Sequence, residues 1–156
     1  VSEESELDIK KLEKFLKTLK LSPARLKVGI LGSHAARKDG SGKTNAEIGA
    51  CHEFGTTTLP VRSFLRLPIS AMLDKGLQKS GAFTRDTQQQ VMQQGTVVPW
   101  LKKVGVVAEG IVAEAFQTGG FGTWVPSNMA HKRVAMTLVE TQQLRNSISS
   151  EVVEGG

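Results

Sequence analysis

The chain has 156 residues and a formal charge of +5, with sixteen Gly, six Phe, two Trp and no Tyr, which suits one domain with a real core and a good share of loop or arm. No apolar stretch approaches the roughly eighteen residues of a membrane span, and the opening VSEESELDIKK is unlike a secretory leader. A soluble chain made in the cytoplasm, with no membrane partner, is therefore expected.

In chain order, Leu7, Leu12, Phe15, Leu16 and Leu19 form one stripe, with Lys10, Lys11, Lys14 and Lys17 elsewhere, so residues 7–20 read as an amphipathic helix with Ser5 and Asp8 at its start. Pro23 ends that N-terminal segment, residues 1–22. Leu26, Val28 and Ile30 then alternate with Lys27 and Gly29, the period of a strand with one buried face. A loop from Leu31 to Lys43 leads to Thr44, which with Glu47 forms a capping box and opens a helix over 45–54. Ile48, Cys51 and Phe54 lie near one face of that helix, and Gly55 is its left-handed stop. TTTLPVRSFLRLP reads as extended, because Pro60 and Pro68 limit regular pairing.

Ile69, Met72, Leu73 and Leu77 make a further helical face up to Gly81, and residues 84–95 read as a polar, glutamine-rich link. Trp100, Leu101, Val104, Ala108, Ile111, Val112, Ala115 and Phe116 recur at spacings of three and four, a core helix. Residues 118–137 lose all period and read as a long loop or arm, and 147–154 close the chain as a strand. Few strands among several helices predict an α+β fold, a small antiparallel or mixed sheet packed on several helices with extended loops or arms.

Chemistry-bearing patterns are sparse. Gly42, Lys43 and Thr44 end a phosphate-loop pattern, but its first glycine is replaced by Arg37 and no later strand ends in an aspartate suited to magnesium. A single cysteine excludes an internal disulfide, and His34, His52 and His131 lack a recognisable zinc spacing. Cys51, His52 and Glu53 suggest an activated thiol, yet neighbours on a helix do not face one another. Ser33 with His34, and Thr137 with Glu140, offer no better constellation. No enzyme, cofactor or metal is expected. The basic residues are scattered among acids, which makes solvated surface the first reading and nucleic-acid contact the second.

The stretch HEFGTTTLPVRSFLR, residues 52–66, is more specific. Gly55 stops a helix, Pro60 stiffens a turn, Phe64 and Leu65 are apolar anchors, and Arg62 and Arg66 lie four apart around them, the composition of an interface hot spot. The competing reading puts Phe64 and Leu65 in the monomer core with solvated arginines. Glu53 is a partner for the arginines within the chain or across subunits.

That stretch resembles the "HEFG…IP-x-R-x-FLR" signature of small virion-morphogenesis proteins of tailed bacteriophages, the tail-completion and neck proteins. TWVPSNMAHK, residues 123–132, is similar to their "W-x-P…T-x-x-K" segment, and TLVETQQLRNSISSEV, residues 137–152, to their "PLIDTGQLRNSI-x-x-x-V" ending. These matches occupy about a quarter of the chain, in the family's order. Gln142 stands at the family's glycine and Glu140 at its aspartate, so a short helix through Thr141 to Asn146 is the alternative to a tight turn. The resemblance implies a non-catalytic virion subunit, made in the host cytoplasm, that forms a homo-oligomeric ring at the head–tail junction, hexamer favoured over dodecamer. Its implied partners are tail terminator, tail tube and head-closure proteins, with passing contact with DNA. The implied interface draws on His52, Glu53, Phe54, Gly55, Arg62, Phe64, Leu65, Arg66, Trp124, Pro126, Leu144, Arg145 and Asn146. A tail terminator or other minor tail protein is the alternative within the class, and a nucleic-acid-binding or nucleotide-binding protein the alternative outside it.

Overall fold

A computed structural model describes residues 3–36, 42–125 and 142–155. Within them the chain runs α1 (Glu3–Leu21), β1 (Arg25–Ile30), a short 3-10 turn (Gly32–Ala35), α2 (Asn45–Phe54), α3 (Arg66–Ser80), α4 (Arg85–Gln94), α5 (Val98–Thr118), α6 (Gln143–Asn146) and β2 (Ile148–Val153). The fold is α+β: six helices and a two-stranded antiparallel sheet packed on them. β1 and β2 pair from Arg25 with Val153 to Ile30 with Ile148, joining the strand after α1 to the strand after α6.

Helix α5 is the spine, and its period explains why. Val104, Ala108, Ile111, Val112, Ala115 and Phe116 are all buried. Its C-terminal half enters a cluster with Phe64 and Leu144. Its N-terminal half, through Trp100 and Leu101, meets Phe15, Val91 and Val97, and Val104 and Val107 meet Leu77 and Ala82. The sheet lies against α5 at Gly105, where an added Cβ would come within 2.5 Å of Ser150 Oγ and 3.2 Å of Leu26 Cδ1. Hydrogen there is what allows a helix to approach a strand this closely.

Two expectations need correction. Residues 84–95 are not a link: α4 is a helix, capped by the Thr84 hydroxyl, which accepts from Thr87 N–H at 3.4 Å, and closed by Gly95 at φ +66°. Glutamine is a good helix former, and only Thr87 and Val91, one turn apart, need burial, so the polar composition is the outer face of a helix lying on α1. The extended segment also stops early, because α3 begins at Arg66. Pro68 fits its first turn, where no intrahelical N–H bond is needed. Of the long loop or arm read over 118–137, residues 119–125 are described and form a run of tight turns, with Gly120 N–H donating to Ala115 O at 2.7 Å and Trp124 N–H to Gly119 O at 2.9 Å. Residues 126–141, and Arg37 to Ser41 of the earlier loop, lie outside the described residues.

At the third similarity segment, Gln142 occupies the left-handed region at φ +54°, and α6 follows it directly. The turn for which glycine is suited is retained with a glutamine in it, at a strain of about 1 kcal/mol. Replacement Gln142→Gly is expected to leave stability unchanged or raise it in spite of glycine's larger unfolded-state entropy. Helix α5 supplies a sharper pair of opposite signs. Gly105→Ala is expected to destabilise by about 1–3 kcal/mol through the clash with Ser150, whereas Gly110→Ala, whose Cβ meets nothing within 4 Å, is expected to stabilise by up to about 1 kcal/mol. Urea unfolding of the two variants measures both.

Candidate functional site: a glutamate clamp on the RSFLR segment

Helix α2 begins where the sequence places its capping box. Thr44 Oγ1 accepts from Glu47 N–H at 3.1 Å, and Glu47 Oε2 accepts from Thr44 N–H at 2.8 Å. The Thr44 backbone N–H, and after it the Thr44 hydroxyl, which donates to Glu47 Oε2 at 3.0 Å, hold the Glu47 carboxyl below its ordinary pKa. Its contribution to stability is present above that ordinary value and is lost as pH falls through the lowered one. Asn45 Nδ2 then donates to His34 O at 3.1 Å and Ala36 O at 2.8 Å, tying the preceding loop to the helix. The Thr44 hydroxyl of the half phosphate-loop pattern is thus engaged in a helix cap.

Although Ile48 packs at the margin of the core, the most buried face of α2 is not the apolar one. Its buried residues are Asn45, Gly49 and Glu53, while Phe54, expected on the buried side, is 66% exposed. Two local demands turn the helix. Gly49 lies so close to the core that an added Cβ would stand 2.6 Å from Ile30 Cδ1 and 3.4 Å from Phe64 Cζ. One turn on, Glu53 is 5% exposed and needs donors.

The donors come from RSFLR. Glu53 Oε1 accepts from Ser63 Oγ at 2.7 Å and Arg66 N–H at 3.0 Å; Oε2 accepts from Phe64 N–H at 3.0 Å and Leu65 N–H at 3.1 Å. Leu65, at the start of α3, brings no capping side chain of its own, so a carboxylate from another helix satisfies N–H groups that a helix start leaves open, at the end of the macrodipole that favours negative charge. Ser63 Oγ in turn accepts from Leu67 N–H at 3.0 Å. The Arg66 guanidinium adds an ion pair, Nε to Oε1 at 3.7 Å, and lies 5.6 Å from the centre of the Phe54 ring.

The chain between clamp and donors is shaped for this return. Gly55 has φ +76° and ψ 170°, a positive-φ stop but not the left-handed helical one expected, and an added Cβ would meet Val61 at 2.9 Å. Thr56 closes the tip by donating its N–H to Leu59 O at 2.9 Å and accepting from Leu59 N–H at 3.0 Å. Arg62 N–H reaches back to His52 O at 2.8 Å.

From the other side, Trp124 Nε1 donates to Ser63 O at 3.1 Å, and Arg62 Nε donates to Val125 O at 3.1 Å. The Trp124 ring meets Phe116 edge-on at 5.8 Å, and Phe116 lies 5.2 Å from Phe64. Leu144 is buried in the same cluster, with Leu65 packed at its margin.

The candidate residues therefore divide. His52, Glu53, Gly55, Arg62, Phe64, Leu65, Trp124 and Leu144 build the inside of this unit, with Phe64 at 2% and Arg62 at 7% exposure. Phe64 is thus a core residue of the chain and Arg62 is no solvated rim, because its Nε donates to a backbone carbonyl. Phe54 and Arg66 face outward, as do Leu59, Val61, Leu67 and Val125, apolar residues each more than a third exposed that the sequence reading passed over. On α6, Arg145 is half-buried and Asn146 exposed, and Pro126 lies outside the described residues. Ser63 was also missed. Its signal was the placement of a small hydroxyl four residues before Leu67, at the entry to a helix.

Among the described residues no group of three His, Cys, Asp or Glu could hold a metal, and no helix is long and apolar enough to cross a membrane. Comparisons with family models, curated proteins and solved structures return no match.

Removing the clamp strands three backbone donors and a hydroxyl. Glu53→Ala is expected to destabilise by about 3 kcal/mol or more, and Glu53→Gln, which replaces one acceptor with an amide donor, by about 1–3 kcal/mol. Ala46→Gln on the exposed face of α2 is the neutral control, and thermal unfolding reads all three.

Proposed function

We propose that the chain is a structural subunit of the head–tail junction of a tailed phage, a tail-completion or neck protein that works by surface complementarity in a ring. The observation that carries this reading is convergence. The segments that resemble the family's signatures stand far apart in sequence, yet Glu53 holds Ser63 to Arg66, Trp124 binds the Ser63 carbonyl, and Leu144 packs with Phe64. Independent short matches gain weight when their residues meet in one packed unit.

The same unit offers a docking surface. Phe54, Leu59, Val61, Leu67 and Val125 surround the clamp with exposed apolar area, and Arg66 lies over Phe54. Exposed apolar residues with an arginine on a rigid base are the composition of a protein–protein contact. The working residues of the interface are thus Phe54, Val61 and Arg66, positioned by the buried Glu53, Arg62 and Phe64. A ring follows from a heterologous contact that repeats and closes, and a hexamer is the count that the resemblance favours.

Val61→Asp and Phe54→Asp test this directly. Both sites are exposed, so circular dichroism and melting are expected to match the parent, while electron micrographs of the purified chain lose the closed rings that the parent forms. Rings that persist in both variants, or a parent that is monomeric both alone and in particles, contradict the reading.

A further inference from the structure

Helix α1 carries five of the twelve exposed large hydrophobic residues among those described: Leu7, Ile9, Leu12, Leu16 and Leu21. Its attachment to the body uses another part of its surface, where Phe15 is buried and Leu19 packs beside it against Val91 and Val97. At about 100° per residue, Ile9, Leu12 and Leu16 form a stripe next to that attached face. Leu12 also lines an open cleft of about 200 Å³ with Met92, Arg85, Gln88, Gln89 and Lys11. The stripe is unpartnered within the described chain.

Charge along α1 says what covers it. Glu3, Glu6, Lys10, Glu13, Lys17 and Lys20 are all exposed, and helical spacing puts them on the flank beyond the stripe, with Glu6 and Lys10 already paired at 3.4 Å. In a parallel two-fold pairing the charged flank of one helix would face the opposite flank of the other, the side by which Phe15 and Leu19 attach to the body. In an antiparallel pairing centred between Lys11 and Leu12, Glu3 falls opposite Lys20, Glu6 opposite Lys17 and Lys10 opposite Glu13. The same centre interleaves the apolar stripe: Ile9, Leu12 and Leu16 of the second copy arrive at the levels of Lys14, Lys11 and Leu7, in the gaps of the first set. In antiparallel helix pairs like flanks face each other, so one register serves both charge and packing.

We infer that the exposed face of α1 binds α1 of a second copy of this chain, antiparallel, as an isologous two-fold contact. It is separate from the surface around Phe54 and independent of the reading given above. The apolar stripe supplies the affinity. The ion pairs, individually weak at a surface, select the direction and register.

Sedimentation equilibrium tests this in the Val61→Asp background, so that association at the Phe54–Val61 surface does not add to the signal. That chain is expected to be a dimer at about 100 μM, as a micromolar Kd requires. Adding Glu6→Lys creates two like-charge pairs per dimer and is expected to weaken association roughly tenfold. Adding Lys17→Glu to Glu6→Lys restores net charge and complementarity together, and is expected to return the dimer. Each variant is checked for parent-like circular dichroism. A chain that stays monomeric, one that instead binds anionic phospholipid vesicles through α1, or a dimer indifferent to Glu6→Lys and its rescue overturns the proposal.

Discussion

A carboxylate cannot stay charged inside a protein without donors, and most of the arrangement around Glu53 follows from that constraint. Four donors within hydrogen-bond reach, three of them consecutive backbone N–H groups, can be gathered only if the chain after α2 doubles back and opens a new helix against the carboxylate. Gly55, the Thr56–Leu59 turn and the Arg62-to-His52 backbone bond are the means of that return. Removing the donors would leave a buried charge. Removing the charge would leave a helix start without acceptors. The two halves of HEFGTTTLPVRSFLR are therefore one structural device, and the spacing between them is the length of chain that the turn needs.

The device is fixed to the rest of the molecule by shape as much as by polarity. Gly49 lets α2 approach Ile30, Phe64 and Leu144, and Gly105 lets the sheet approach α5. Phe64, seated by its own N–H on Glu53, stacks towards Phe116, which meets Trp124, and Trp124 returns a hydrogen bond to the residue before Phe64. Polar clamp and aromatic core thus close on each other. What remains outside is a rigid base presenting Phe54, Val61 and Arg66, which is why a surface reading of this segment belongs to those residues and not to Phe64.

Elements with a strong local signal were legible in the sequence. The α5 stripe, the Thr44–Glu47 box and the alternation of β1 each depend on residues a few positions apart, and the α+β class followed from their order. Helix α4 was hidden because only Thr87 and Val91 face inward, too few apolar positions to make a period. The facing of α2 was hidden because close approach at Gly49 and hydrogen bonding at Glu53 outweigh the burial of Phe54, and both depend on residues that come near only in the fold. Burial of Arg62 is hidden for the same reason: its Nε donates to the carbonyl of Val125, sixty-three residues away. Phe64 reads from sequence as core or as anchor, and only packing against Phe116 separates the two.

Function rests on different ground from fold. Surface complementarity at Phe54 and Val61 presupposes that the RSFLR segment is held rigidly, and that is where measurement bears hardest. Native-state hydrogen exchange at the amides of Phe64, Leu65 and Arg66 reports it residue by residue. If Glu53 clamps them, these three N–H groups, close to a flexible-looking glycine- and threonine-rich turn, exchange only by global unfolding, and in Glu53→Gln their protection falls further than that of the α5 core. Exchange in the parent as fast as that of the Thr56–Thr58 tip would contradict the account.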